Sequence, residues 1–165
     1  MLSHCEEKVT ITRGVVGVIS DTHGLVRPQA LTALADVELI VHAGDIGKPE
    51  VLQSLSAIAP VLAIRGNNDR EAWASDIPDT LNLVINGLNL QVIHNVQDIG
   101  GDAACLDVHA VISGHSHKPG IVTRNQILFV NPGSAGPRRF KLPVAVAKIY
   151  FEKRHLRATL IELKI

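Results

Sequence analysis

The chain has 165 residues, 46% of them hydrophobic and 19% charged, which suits one packed domain and speaks against a disordered chain or two domains. Lys plus Arg and Asp plus Glu both number 16, and only 3% of residues are aromatic, so neither a nucleic-acid surface nor a base-stacking platform is expected. Apolar runs such as Val15–Ile19 and Val144–Ala147 are far shorter than the roughly 20 residues that cross a bilayer, and Glu6 and Glu7 stand where a signal peptide would be apolar. No membrane partner and a cytoplasmic setting are expected.

Residues 1–12 read as an N-terminal extension, flexible or added as an edge strand, ahead of one domain over 13–165. From Gly14, the run Gly-Val-Val-Gly-Val-Ile reads as a buried strand that stops at Ser20-Asp21-Thr22-His23-Gly24. Pro28 then opens a helix whose apolar face is Ala30, Leu31, Leu34 and Ala35, ending near Asp36. Val37–Ala43 is a second strand, Pro49–Leu55 a short helix, and Pro60–Ile64 a third strand ending at Arg65-Gly66-Asn67-Asn68-Asp69. Strands alternating with helices imply βαβ units, a parallel sheet core and an α/β fold.

After Trp73 the pattern changes. Thr80–Ile85 and Leu88–His94 flank Asn86-Gly87, a two-residue hairpin signal, so the middle of the chain reads as antiparallel. Val108–Ser113, Ile127–Val130, Val144–Phe151 and the alternating Leu156–Ile165 read as further strands, and Cys105 lies in a stretch that reads as helical with a buried, inert thiol.

The informative feature is where the polar residues fall. Asp21 with His23, then Asp45, Asn67, His94, and His115 with His117 each come directly after an apolar run, at steps of 21–27 residues. One strand plus its return fills such a step, so these side chains can collect at one edge of a sheet, where α/β folds bind ligands. Asp21/His23 and His115/His117 are each two apart, which in extended backbone aims both side chains the same way. Seven oxygen and nitrogen donors, with no thiolate, exceed what a structural zinc site needs and suit two ions roughly 3.5–4 Å apart.

Each cluster alone has a plainer reading: a carboxylate at a strand end is usually a cap or turn former, and Gly66–Asp69 and Gly-His-Ser-His can be turns. His4, His42, His109 and His155 read as ordinary surface or core histidines. The joint occurrence of five clusters at strand ends favours the metal reading. There is no phosphate-binding Gly loop, dinucleotide fingerprint or nucleophile elbow; Gly133-Ser134-Ala135-Gly136 is the nearest serine candidate and reads as a rigid loop.

The ordered set Asp21-Thr-His23, Gly44-Asp45, Gly66-Asn67, His94, Gly114-His115-Ser-His117 resembles the motif string of the calcineurin-like metallophosphoesterase superfamily, and the short chain resembles its small YfcE-like phosphodiesterase branch. The resemblance implies a four-layer α/β/β/α sandwich with mixed parallel and antiparallel sheets. It also implies one metal on Asp21, His23 and His117, a second on Asn67, His94 and His115, and Asp45 bridging them. The larger family commonly carries a histidine where Asn68 stands, and the YfcE-like branch a second histidine where this chain has Val96; Asn131-Pro132-Gly133-Ser134 matches a closing loop of that branch.

The function expected is that of a dinuclear metal-dependent phosphodiesterase acting on a small phosphoester, with a metal-bridging hydroxide attacking phosphorus in line with the leaving group. Asp45 and Asn68 are the expected catalytic residues, and Asn68 and Arg70 the expected substrate-binding ones; Arg65, Arg138 and Arg139 are further candidates to meet phosphate, against a surface-charge reading. The donor set suits Mn²⁺, the first choice, or Ni²⁺, Co²⁺, Fe and Zn²⁺ over Mg²⁺ and Ca²⁺. The alternatives are a non-catalytic interaction scaffold of the same fold and a metal-dependent nuclease. A homodimer or homotetramer fits small members of the branch.

Overall fold

In the computed structural model, residues 2–100 and 107–165 are described; the helical reading around Cys105 lies outside them. The elements are β1 (His4–Val9), β2 (Val15–Ile19), α1 (Pro28–Ala33), β3 (Leu39–His42), α2 (Pro49–Ser56), β4 (Val61–Ala63), β5 (Thr80–Ile85), β6 (Leu88–Ile93), β7 (Ala110–Ile112), β8 (Gly120–Arg124), β9 (Ile127–Asn131), β10 (Ala145–Glu152) and β11 (His155–Glu162).

They form two mixed sheets, ordered β11-β10-β2-β3-β4 and β1-β5-β6-β7-β9-β8. β2, β3 and β4 are parallel, as the βαβ reading requires. β5 and β6 form the expected hairpin, with Asn86 and Gly87 both left-handed at φ 50° and 80°. The antiparallel reading of the middle stops there, because β6 pairs in parallel with β7, and β7 with β9. The hairpin signal is local to its turn, whereas these pairings join segments far apart in sequence. β1 adds to β5 as a parallel edge strand over His4–Val9.

Period-two alternation sorts side chains between layers. Leu39 and Val41 of β3 and Ala147 and Ile149 of β10 face the other sheet, where they pack with Leu81, Leu83, Leu90, Val92 and Ile112. Ile40 and Val146 face outward and are covered by Ala30 and Leu34 of the α1 region and Val51 and Leu55 of α2. Pro28 and Pro49 start the helices at positions where a missing N–H costs nothing. On the outer face of the six-stranded sheet, Ile93, Val111 and Ile127 cluster with Ile99, Val108 and Phe129. Among the described residues no α-helix covers that face, so the expected fourth layer is not seen among them. Nor is any helix among them long and apolar enough to cross a membrane.

Several boundaries are tighter than the sequence reading. The first helix stops at Ala33 and not near Asp36, and the strand expected over Val108–Ser113 contracts to Ala110–Ile112. β8 has no counterpart in that reading: its mostly exposed Gly-Ile-Val-Thr-Arg lacks apolar–polar alternation, and it is fixed by pairing with β9 across a left-handed Asn125-Gln126 turn.

The seam between the sheets is the core that holds the molecule. Leu90→Ala there is expected to cost about 2–5 kcal/mol, whereas Leu160→Ala on β11, with Leu160 39% exposed, is expected to stay within about 1 kcal/mol. Urea unfolding midpoints check both; equal losses would contradict the layering.

Candidate metal centre

Each candidate ligand lies just past the carboxyl end of a strand: Asp21 and His23 after β2, Asp45 after β3, Asn67 after β4, His94 after β6, His115 and His117 after β7. The first four come from the five-stranded sheet and the last three from the six-stranded sheet, so the site forms where the two sheets meet at one end. Main-chain bonds tie the loops together: Asp21 N–H donates to Gly44 O (3.0 Å), His23 N–H to Asp45 O (3.0 Å), and Gly114 N–H to His94 O (2.9 Å).

Convergence comes by a different backbone from the expected extended pairs. Asp21, His23, Asp45, His115 and His117 are all left-handed, at φ of 53°, 45°, 54°, 68° and 60°. The chain has to reverse at each strand end, and the turn itself aims the side chain inward. Residues other than glycine held there cost on the order of 1–3 kcal/mol each.

Asp21 is fully buried, and its Oδ1 lies 3.3 Å from His117 Nε2, 3.9 Å from His94 Nε2 and 4.0 Å from His23 Nε2. Asp45 Oδ2 is 3.4 Å from His94 Nε2 and 3.8 Å from His23 Nε2. His23 Nε2 and His117 Nε2 approach to 3.5 Å, and His115 Nδ1 lies 3.2 Å from Asn67 Oδ1. Two donor sets therefore sit within 4.8 Å: Asp21 with His23 and His117, and Asp21 with Asp45 and His94. Asn67 and His115 form the exposed side of the same site. All seven residues are brought together.

Two buried atoms at the centre, Asp21 Oδ1 and His94 Nε2, have no hydrogen-bond partner. Such orphans ordinarily cost about 1–3 kcal/mol apiece. His94 Nδ1 lies 2.7 Å from the Ala43 carbonyl, which can only accept, so Nδ1 carries the proton and the neutral ring offers its Nε2 lone pair to the centre. Carboxylate, imidazole and amide donors of this kind fit first-row divalent cations.

Residues outside the expected set position these donors. Ser20 Oγ and the His115 N–H both donate to Asp21 Oδ2 (2.6 and 3.1 Å), and Ser134 Oγ donates to the Asp21 carbonyl (2.9 Å). Asn131 Nδ2 donates to the Gly114 carbonyl (2.9 Å), so the Asn131–Ser134 loop braces the Asp21 and His115 turns. Buried Asp69 accepts from the N–H groups of Ile46, Gly47 and Gly66 (3.0, 2.9 and 2.9 Å), joining the Asp45 loop to the Asn67 loop. The sequence showed Asp69 only as the end of a turn. A side chain at Gly66 would collide with the Asp45 carboxylate.

Asn68 and Arg70 are both exposed, and each also has a protein partner. The Asn68 N–H and Nδ2 donate to the two oxygens of Asp45 (3.0 and 2.9 Å), while Arg70 Nε donates to the Asn67 carbonyl (2.8 Å). Arg65 pairs with Asp79 at 3.0 Å.

The electrostatics arise from this packing. Burial disfavours a charged Asp45, yet the two Asn68 hydrogen bonds and the neighbouring His94 ring hold its carboxyl well below the usual range. Burial likewise opposes a charge on His94, but Asp45, the Ala43 carbonyl and Asp21 together raise its pKa. His117 is lowered by burial, with Arg139 and His23 adding to it against the pull of Asp21.

Against these geometries, residues 15–154 match the calcineurin-like phosphoesterase superfamily domain. The chain belongs to that superfamily. Within it, the chain is 36% identical over 152 residues to a probable metallophosphoesterase of Methanothermobacter thermautotrophicus, covering 84% of this chain and 88% of that protein. An archaeal phosphodiesterase superposes with a TM-score of 0.74 at 25% identity, over 89% of this chain and 99% of its own. E. coli YfcE, a phosphoesterase, gives 0.64 at 20% over 91% and 100%, and Vps29 of Chaetomium thermophilum 0.70 at 15% over 92% and 100%; at those identities the likeness is one of fold.

His42, fully buried behind the site, is a structural member of this superfamily domain. It accepts the Gly44 N–H on Nδ1 (3.2 Å), so Nε2–H donates to Thr22 Oγ1 (2.9 Å), whose hydroxyl passes to the Ile46 carbonyl (2.8 Å). Burial pushes its pKa from 6.5 down to about 3. The unfolded chain takes up this proton below pH 6.5 and the folded chain does not until about pH 3, so this contribution to stability falls as pH drops across that window, by up to about 1.4 kcal/mol per pH unit. In chelator, His42→Asn is expected to flatten the acid limb of urea midpoint against pH; an unchanged slope would contradict it.

Proposed function

We propose that the protein is a divalent-metal-dependent phosphodiesterase with a two-metal centre. The observation that carries this is the pair of buried, unpartnered atoms, Asp21 Oδ1 and His94 Nε2, facing one another at 3.9 Å inside a ring of further donors. Asp21, His23 and His117 would hold one ion and Asn67, His94 and His115 the other, with Asp45 shared between them; Mn²⁺ is the first choice. When bound, two such cations activate water for in-line displacement at phosphorus and neutralise the phosphoryl oxygens.

The chain's own residues supply the rest. Asn68 holds both oxygens of Asp45 by its N–H groups, which orients that carboxylate before any substrate arrives. The amide at position 68 cannot serve as a proton donor of suitable pKa, so the leaving group has to depart without protonation from this position. That favours diesters of acidic alcohols. The complete donor set supports an enzyme over the scaffold alternative, although Vps29 shares the fold, and the balance of 16 cationic against 16 anionic residues weighs against a nuclease.

Across a series of aryl diesters of graded leaving-group pKa, turnover is expected to fall steeply as that pKa rises; a flat dependence would count against the account. Asp45→Asn is expected to abolish turnover and to reduce metal content measured by elemental analysis. Near-normal activity with both ions retained would remove Asp45 from the shared position.

A further inference from the structure

A cavity of about 710 Å³ opens beside His117 and is lined by Lys118, Arg139, Phe140, Lys141 and Leu142. Its size lies within the roughly 300–1,000 Å³ typical of small-molecule sites. Two features of this wall have no role in holding the fold. Phe140 is 92% exposed, more than any other large apolar side chain described. It is also left-handed at φ 53°, a conformation that a bulky residue rarely adopts. One exposed ring is ordinary by itself; what sets this one apart is the left-handed backbone that presents it and the charge beside it.

That charge is positive. Lys118, Arg139 and Lys141 line the cavity with no carboxylate among its lining residues. Among the described residues the ion pairs of Lys and Arg are Arg65–Asp79, Lys148–Asp36 and Arg157–Glu152, so these three cations are uncommitted. The other side of the centre differs. The cleft beside Asn67, His94 and His115 holds only about 150 Å³ and includes Asp79 and Asp98. Arg65 lines it too but is paired with Asp79, so the cleft suits a small group and offers a second anion no free cation.

We propose that the cavity beside His117 is the subsite for one alcohol arm of the diester, and that this arm carries an aromatic ring, stacked on Phe140, and a second anionic group, met by Lys118, Arg139 and Lys141. The substrate class is thus a nucleotide-like phosphodiester with a further phosphate on the arm, and the smaller alcohol lies on the His94 side. Cation and ring together give the recognition: the ring is contact area that accepts any base, and the flexible lysines act as point charges on phosphate. This inference rests on the phosphodiesterase reading above.

Three p-nitrophenyl diesters test it with the full chain and Mn²⁺: methyl p-nitrophenyl phosphate, thymidine 5′-(p-nitrophenyl phosphate), and the latter's 3′-phosphate. Wild-type kcat/KM is expected to rise in that order. Phe140→Ala is expected to lower the ratio of the second to the first about tenfold, and Lys141→Gln to lower the ratio of the third to the second several-fold. Equal losses on all three, or unchanged ratios, would overturn the subsite while leaving the phosphodiesterase reading standing. Calorimetric binding of thymidine 3′,5′-bisphosphate separates the two claims, since both variants are expected to weaken it by the same factors. If no diester is hydrolysed yet this binding depends on Phe140 and Lys141, the subsite stands and the phosphodiesterase reading falls. If binding is absent, or is indifferent to both substitutions, the subsite falls.

Discussion

Two carboxylates and four imidazoles crowded at one end of two sheets govern this molecule. Asp21 Oδ1 faces three ring nitrogens at 3.3–4.0 Å, and Asp45 Oδ2 faces two at 3.4–3.8 Å. Buried donors of this kind, with central lone pairs unmatched by any hydrogen bond, oppose folding unless a cation occupies the space between them. The five left-handed residues add to that cost. Unsatisfied polarity and strained turns therefore meet at the centre, while the seam between the sheets and the helix-covered face obey ordinary apolar packing.

The surroundings are built to maintain this arrangement. Ser20 and the His115 N–H fix one oxygen of Asp21, leaving the other free. Asn68 binds both oxygens of Asp45, and the Ala43 carbonyl sets the tautomer of His94. Asp69, His42 with Thr22, and the Asn131–Ser134 loop lock the turns against one another. All of these contacts are made by the chain's own atoms, as orientation of metal ligands by outer partners requires.

Much of this was legible in the sequence because strand ends are abrupt. β-branched runs that stop at Asp21, Asp45, His94 and His115 reveal both the strands and the polar turns at their ends, and Asn86-Gly87 reveals the hairpin. The illegible part depends on pairing between distant segments. β8 carries exposed residues without alternation and exists because β9 pairs with it. The parallel β6–β7 and β7–β9 pairings cannot be inferred from a local turn signal. At the site, spacing put the right residues together for an incomplete reason: i and i+2 suggested extended backbone, and left-handed turns aim the side chains instead. Asp69 and Asn131 looked like turn formers because their partners are N–H and C=O groups, which leave no trace in side-chain pattern.

The centre is also asymmetric. The His117 side is wide and cationic with an aromatic rim, and the His94 side is narrow, with Asp98 beside the Arg65–Asp79 pair, so on the proposed reading a diester with unlike arms would have one preferred orientation. Titration of Mn²⁺ into chelator-stripped protein, monitored by calorimetry and by thermal unfolding, addresses the central claim directly. The account predicts two ions per chain and a raised unfolding temperature, with Asp21→Ala binding fewer ions than wild type. No uptake at millimolar Mn²⁺, or uptake indifferent to Asp21, would contradict it.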